Sequence, residues 1–321
     1  MKNKILTFIR ISVSCGLLGL LFWSMRKDIC SIWGILLNSR LDLILIGVSL
    51  ILINTGMLAL RLKIIFEGEN LNVSLYRAVQ LTYVGYYFNN FMPTAVGGDI
   101  IKAHCASRFN NKKIESYASV LMDRIMGMYT FLMIAGVALV VSKGAFKLTA
   151  VKGMVICFLL LGISGILVAG NKRIAGFMER FLLKLKMFGL GERLNAGYKI
   201  VHDYRNRKTI ILKGLAISIL GQCVYFTVIY LFFLSLGKEV SIGNVFLIMP
   251  LVVFISMAPS VGGLGVREGA MIALFTPLTG KETAFAVSLL VLFGLFIMSF
   301  IGGIIYFWWG LKKNENVKCK M

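Results

Sequence analysis

Two stretches of the chain carry residues whose types and spacing suit anion chemistry. The first is MPTAVGGDIIKA, Met92 to Ala103, and the second is MAPSVGGLGVREGA, Met257 to Ala270. Each runs from a proline (Pro93, Pro259) through Thr or Ser to Val-Gly-Gly (Gly97-Gly98, Gly262-Gly263) and then to one base, Lys102 or Arg267. Gly265 adds a third glycine to the second stretch, and each stretch holds one acid, Asp99 or Glu268. Proline ends a helix because its ring lacks an N–H and clashes with the preceding turn. A glycine pair then lets a new helix begin, and a helix start offers unpaired N–H groups and partial positive charge to phosphate or carboxylate. Lys102 and Arg267 lie about one turn further in, where they add full positive charge, and Arg267 has the fork for bidentate phosphate binding. The acids fall in the first helical turn, a position that complements the helix dipole. The same Pro and Gly-Gly residues also suit plain tight bends and close helix packing.

Both stretches are embedded in apolar sequence, so the elements that position them are membrane helices. The chain has 321 residues, is 58% hydrophobic and only 15% charged, and its mean hydropathy is +0.83. Soluble domains carry about 25% charged residues. Several apolar runs reach roughly 20 residues, enough to cross about 30 Å of hydrocarbon. The net charge of +21 sits mostly between these runs, which reads as cytoplasmic loops facing anionic lipid rather than as a nucleic-acid surface. Six scattered cysteines without CxxC pairing, and two histidines without an HExxH motif, suggest no disulfide framework and no metal. No nucleotide-binding motif occurs, and no cofactor is expected.

In chain order, Ile5 to Met25 and Leu41 to Leu60 read as full spans, with Arg61 and Lys63 marking a cytoplasmic end. Leu75 to Ala106 is apolar but broken at Pro93, and its halves of about 15 residues are too short to span. Ser116 to Val141 and Thr149 to Ala169 are the next spans. Residues 171–208 hold ten bases against three acids, the strongest positive-inside signal in the chain. Within them, Phe177 to Phe188 alternates as an interfacial helix does. Thr209 to Leu236 spans again, Val240 to Phe275 is a second broken pair interrupted at Pro250 and Pro259, and Thr283 to Trp309 is the last span. The expected fold is an all-α polytopic membrane protein with about six full transmembrane helices and two re-entrant helical hairpins, about eight hydrophobic segments in all. The hairpins dip from opposite faces in an inverted repeat, and their tips meet near the midplane. Both termini lie in the cytoplasm. Asp123 and Arg124 are charges within a span, where such residues are functional or paired unless they snorkel. Asn89 and Asn90 fall at the expected cavity mouth, and His104 reads as packed.

These residues also carry a resemblance. MPTAVGGDIIKAH, ASVLMDRIMG (Ala118 to Gly127) and APSVGGLGVREGA resemble the lysylphosphatidylglycerol synthase transmembrane region, the flippase-like domain family. The resemblance covers nearly the whole chain, and the GGLGVRE core is its most specific part. It implies that Pro93, Gly97, Gly98, Asp99, Lys102, Asp123, Arg124, Pro259, Gly262, Gly263, Gly265, Arg267 and Glu268 bind a lipid head group. The family more often has Arg at the position of Lys102, and many members carry an Arg in the final span that Ser288 to Phe296 lacks. The implied organisation is one flippase-like domain over residues 1–321. Its first half is 1–170 with a hairpin at 75–106, its linker 171–208 is cytoplasmic, its second half is 209–311 with a hairpin at 240–275, and its tail 312–321 is cytoplasmic.

The implied function is a lipid translocase of the cytoplasmic membrane, moving a phospholipid such as lysyl-phosphatidylglycerol or a polyprenyl-phosphate lipid between leaflets. The soluble synthase domain of the bifunctional members is expected to be absent, since the chain stops twelve residues after Trp309. The implied partners are the membrane lipid itself and a separate lipid synthase, with no nucleic acid. The alternative is an intramembrane lipid-modifying transferase, or the membrane partner of a phosphatidylglycerol lysyltransferase. Asp99, His104 and Glu268 are then the candidate nucleophiles or bases, and no recognised catalytic constellation accompanies them.

Overall fold

The computed structural model describes residues 16, 19, 26, 28–92, 97–141, 153–160, 207–258, 260 and 263–318, with side chains through Trp309. Nearly all of the expected span at Ile5 to Met25, most of that at Thr149 to Ala169, nearly all of the linker with its interfacial helix, and Pro93, Pro259 and Gly262 lie outside these residues.

The described residues are helical and hold no strand. The helices are α1 (Ile29–Leu37), α2 (Leu41–Gly68), α3 (Leu75–Phe91), α4 (Gly97–Asn110), α5 (Lys113–Val141), α6 (Lys208–Ser235), α7 (Ile242–Ile255), α8 (Val266–Thr279) and α9 (Lys281–Lys318), with a further helical segment at 153–160. The chain is an all-α polytopic membrane protein. Among the described residues four helices are long and apolar enough to cross a bilayer, Leu41–Gly68, Lys113–Val141, Lys208–Ser235 and Lys281–Trp309. They match four of the six spans expected from hydropathy, three of them extended by two to eight residues and the third of the four, Lys208–Ser235, shifted by one.

The first broken pair is as expected. The Ser74 side chain caps α3 by accepting the Arg77 N–H at 3.3 Å. At the other end Met92 is extended (φ −84°, ψ 139°), the conformation that a following proline imposes. The second pair differs in one respect. Pro250 does not interrupt it but lies inside α7. A proline in mid-helix removes one intrahelical bond, and α7 tolerates this while packed between α5 and α8.

The ends of the helices define two faces of the bundle. On one, the Lys112 ammonium donates to the Asn70 carbonyl at 3.2 Å and Arg207 pairs with Glu69 at 3.1 Å, which joins the end of α2 to the starts of α5 and α6. On the other, the Arg40 N–H donates to the Ser235 carbonyl at 2.8 Å, and Ser31 donates to Glu282 at 3.1 Å. Helices α2 and α6 therefore run antiparallel along their length. Gly47 faces Phe232, Asn54 faces Gly221, Arg61 reaches Ser218 and Gly68 faces Ile210. Helices α3 and α4 leave and return to the Asn70 face, whereas α7 and α8 leave and return to the Arg40 face. At 1.5 Å per residue, α4, α7 and α8 are each about 21 Å long, short of the roughly 30 Å of hydrocarbon.

The packing repeats between the halves. Helix α3 lies on α9 and α7 on α5, α4 lies on α5 and α8 on α9, and α2 and α6 meet each other at the centre. Lipid tails are as apolar as leucine, so helices associate in a membrane through close packing rather than through hydrophobic burial. Gly98 shows this, since a Cβ there would stand 2.1 Å from the Gly85 carbonyl oxygen, a backbone atom that cannot swing aside. Gly98→Ala is accordingly expected to force α3 and α4 apart. We expect a loss of about 1–3 kcal/mol, read as a lower melting temperature in detergent. An unchanged melting temperature would show that the two helices do not meet there.

Candidate functional site

Five ionisable side chains from three helices meet beside the α3–α4 hairpin. Arg61 comes from α2, Asp99 and Lys102 from the first two turns of α4, and Asp123 and Arg124 from α5. Asp123 and Ser218 each lie ten residues inside helices that start at the Asn70 face, a depth of about 15 Å. The cluster thus sits within the bilayer, where charge is rare and costly. Arg61, Asp123 and Lys102 keep 5%, 6% and 8% of their surface.

The pairing is specific. The Arg61 Nε donates to Asp123 Oδ1 at 2.6 Å and its Nη1 donates to Ser218 Oγ at 3.0 Å. Arg124 Nη1 donates to Asp99 Oδ2. Lys102 stands between the two carboxylates, 3.5 Å from Asp99 Oδ1 and 3.7 Å from Asp123 Oδ2. Those separations exceed a normal N–H···O bond of about 2.7–3.2 Å. The ammonium has three donors, and both carboxylates already have an arginine. Three cations against two carboxylates leave an excess of one positive charge.

The cluster borders a cavity of about 210 Å³, whose remaining wall includes Thr82, Tyr86 and Asn89 of α3, Gln222 of α6, and Met257. Hydroxyl and amide groups thus share the wall with the cations, together with apolar Leu58, Met128 and Phe131. The arrangement puts three cations and two carboxylates on the wall of one cavity, beside a short helix that starts inside the bilayer.

Several sequence-predicted residues converge here and others do not. Asp99, Lys102, Asp123 and Arg124 line the cavity together. Asn89 lines it and also accepts the Gly98 N–H at 2.9 Å, so that helix-start donor is bound within the hairpin. Asn90 instead points to α9, where its amide donates to Ser299 and, at 3.3 Å, to the Leu295 carbonyl. Arg267 and Glu268 are outside the cavity lining and form a buried pair of their own. Arg267 donates to Glu268 Oε1 from Nη2 at 2.6 Å and Nε at 3.2 Å, while Glu268 Oε2 takes the Gly265 N–H at 2.7 Å. Gly263 and Gly265 have φ of +77° and +81°, in the left-handed region that glycine enters freely. They turn the chain into α8 so that Glu268 closes on its own helix start. The expected acid cap is therefore present in the second hairpin, whereas in the first hairpin Asp99 reaches Arg124 and Lys102 instead. His104 is half-buried, and its carbonyl accepts from Ser107 at 2.8 Å. Among the described residues no cluster of His, Cys, Asp and Glu is arranged to hold a metal ion.

Arg61 is the residue that sequence reasoning missed. Beside Lys63 it reads as the end of a span, yet α2 continues to Gly68 and buries it. The available signal is spacing, since Asn54, Arg61 and Ile65 recur at seven and four residues and are all buried, marking one helix face.

The sequence profile of the lysylphosphatidylglycerol synthase transmembrane region matches residues 7–303. The chain belongs to that family. The chain is also similar to a membrane protein of Methanothermobacter thermautotrophicus designated UPF0104, 26% identical over 259 residues, which cover 73% of this chain and 75% of the relative. A second UPF0104 membrane protein, from Pyrococcus horikoshii, is 24% identical over 332 aligned positions, covering 95% of this chain and 96% of the relative. No solved structure matches the chain. Membership of the lysylphosphatidylglycerol synthase transmembrane-region family agrees with the resemblance carried by the three motifs, and the charged cavity is built from two of those three.

Proposed function

We propose that this family member is a lipid translocase, moving a phosphate-bearing lipid between leaflets of the cell membrane. The single observation that carries this reading is the buried cluster of Arg61, Lys102 and Arg124 against Asp99 and Asp123, one positive charge in excess, at the tip of a helix pair too short to cross. Burying such a cluster is costly unless something is gained from it. A phosphodiester carries one negative charge, which balances the excess, and Lys102 is the cation with donors to give. The two helix pairs of opposite orientation supply the inverted repeat on which alternating access is built. The substrate is then a phospholipid, lysyl-phosphatidylglycerol among them, or a polyprenyl-phosphate lipid. Arg267 and Glu268 serve by holding the second hairpin in shape. In this reading the Asn70 face and both termini lie in the cytoplasm, which the positive-inside pattern of the linker supports.

The test is transport by the purified chain. Reconstituted into vesicles with fluorescent phosphatidylglycerol in both leaflets, the protein should expose nearly all of the label to a membrane-impermeant quencher within minutes. Protein-free vesicles should expose about half and then stop. Rates matching protein-free vesicles for phosphatidylglycerol, its lysylated form and a polyprenyl phosphate alike would overturn the assignment.

A further inference from the structure

A second cavity adjoins the charged one. It is a groove of about 470 Å³ between α4 and α5, lined by Ile100, Ala103, Ile114, Tyr117, Ala118 and Leu121. Lys113 lies at its outer end, and Asp99 and Arg124 lie at its inner end. Asp99 and Arg124 also line the charged cavity. Their ion pair is therefore a wall common to both spaces. On the groove side everything between the two ends is apolar but for the Tyr117 hydroxyl, and on the cavity side lie Lys102, Asp123 and Arg61.

This wall is the looser half of the cluster. The Arg124 and Asp99 side chains keep 25% and 16% of their surface, against 6% and 9% for Arg61 and Asp123. Lys113 and Arg124 stand eleven residues apart on α5, so the groove runs roughly 16 Å from the bilayer surface to cluster depth. Ile100 and Ile114 are 52% and 81% exposed along it, so it opens sideways onto the hydrocarbon of the membrane. The groove is thus apolar, open to lipid, and joined at one end to a receptacle for a single negative charge. That combination matches an amphiphile, with phosphate on one side of the Asp99–Arg124 wall and hydrocarbon on the other.

We infer that the α4–α5 groove is a chain-binding subsite, taking the acyl segment nearest the head group of a lipid whose phosphate occupies the cavity. The inference rests on the translocase reading for its purpose, but the coupling of groove to cavity is measurable without transport. The occupant is a lipid of net negative charge with one phosphate, and the zwitterionic bulk lipid that touches any membrane surface is the competing outcome.

The experiment uses the full chain in phosphatidylcholine vesicles doped with a phosphatidylglycerol that carries a photoreactive diazirine on the proximal part of one acyl chain. After illumination, adducts are mapped by mass spectrometry. The expected adducts fall on the groove residues between Ile100 and Leu121. They should drop at least tenfold in Lys102→Met and on replacing the probe by an equivalent diazirine phosphatidylcholine at the same dose. Leu121→Trp fills the groove from a lipid-exposed position and should give the same loss of adducts. Labelling that is equal in wild type and Lys102→Met, or equal for both lipids, means that bulk lipid alone touches the groove and overturns the inference. Transport assayed in parallel separates the two claims. Lys102-dependent labelling without flipping keeps the subsite and removes the translocase, whereas flipping with Lys102-independent labelling does the reverse.

Discussion

Arg61→Ala is expected to be the most damaging single substitution in the chain. Arg61 is the principal partner of Asp123, at 2.6 Å, and also donates to Ser218 at 3.0 Å. Truncating it leaves a buried carboxylate with, among the described residues, only Lys102 as an ion-pair partner, at 3.7 Å. Removing one partner of a buried ion pair costs about 3–5 kcal/mol, since the remaining charge stays uncompensated. For a protein of this size that corresponds to a fall of roughly 4–7 °C in melting temperature, measured in detergent. The companion variant Arg61→Met with Asp123→Leu removes both charges and should recover most of the stability, because well-packed apolar replacement of a buried pair is close to neutral. Neither variant should transport lipid. If Arg61→Ala melts with the wild type, the buried pair is not part of what holds α2 to α5.

Lys102→Met should do the opposite, sparing the fold and abolishing transport. The Lys102 ammonium is 3.5 and 3.7 Å from its two carboxylates, and each carboxylate keeps an arginine, Arg124 for Asp99 and Arg61 for Asp123. The cluster is then neutral, with two cations and two acids, so a phosphate entering it no longer meets an excess charge. Losing a buried charge partner costs about 2–5 kcal/mol of binding, so the flipping rate at low substrate should fall thirty-fold or more. Lys102→Arg should restore part of it. Wild-type rates in Lys102→Met would move the phosphate site elsewhere.

These two outcomes separate the structural role of the cluster from its functional one, which the network alone does not do. Arg61 is bonded to Asp123 and Ser218 and ties α2 to α5 and α6, so its loss is felt as instability. Lys102 is held by two long contacts and stands over the cavity, so its loss is felt by the ligand.

Much of the architecture was legible in the residues themselves. Hydropathy placed four of the described spans, because crossing hydrocarbon needs about twenty apolar residues wherever they fall in the fold. Pro93 with Gly97 and Gly98 marked the first break, because the proline ring and the missing Cβ act locally. Asp99, Lys102, Asp123 and Arg124 stood out as charges in apolar sequence, and the structure brings these four into one cavity. Pro250 shows the limit of local reasoning, since neighbouring helices support α7 through it.

What only the tertiary structure decided is the partnership among the charges. Both hairpins carry a base and an acid near a glycine pair, and by sequence they are equivalent. In space Arg267 meets Glu268, one residue away, while Lys102 meets acids from its own helix and from α5. Arg61 joins across 62 positions of sequence through Asp123 and across 157 through Ser218. Composition and periodicity report how a side chain suits its surroundings one helix at a time. Which charge neutralises which, and where one positive charge is left over, depends on distances between helices, and those exist only once the bundle has closed.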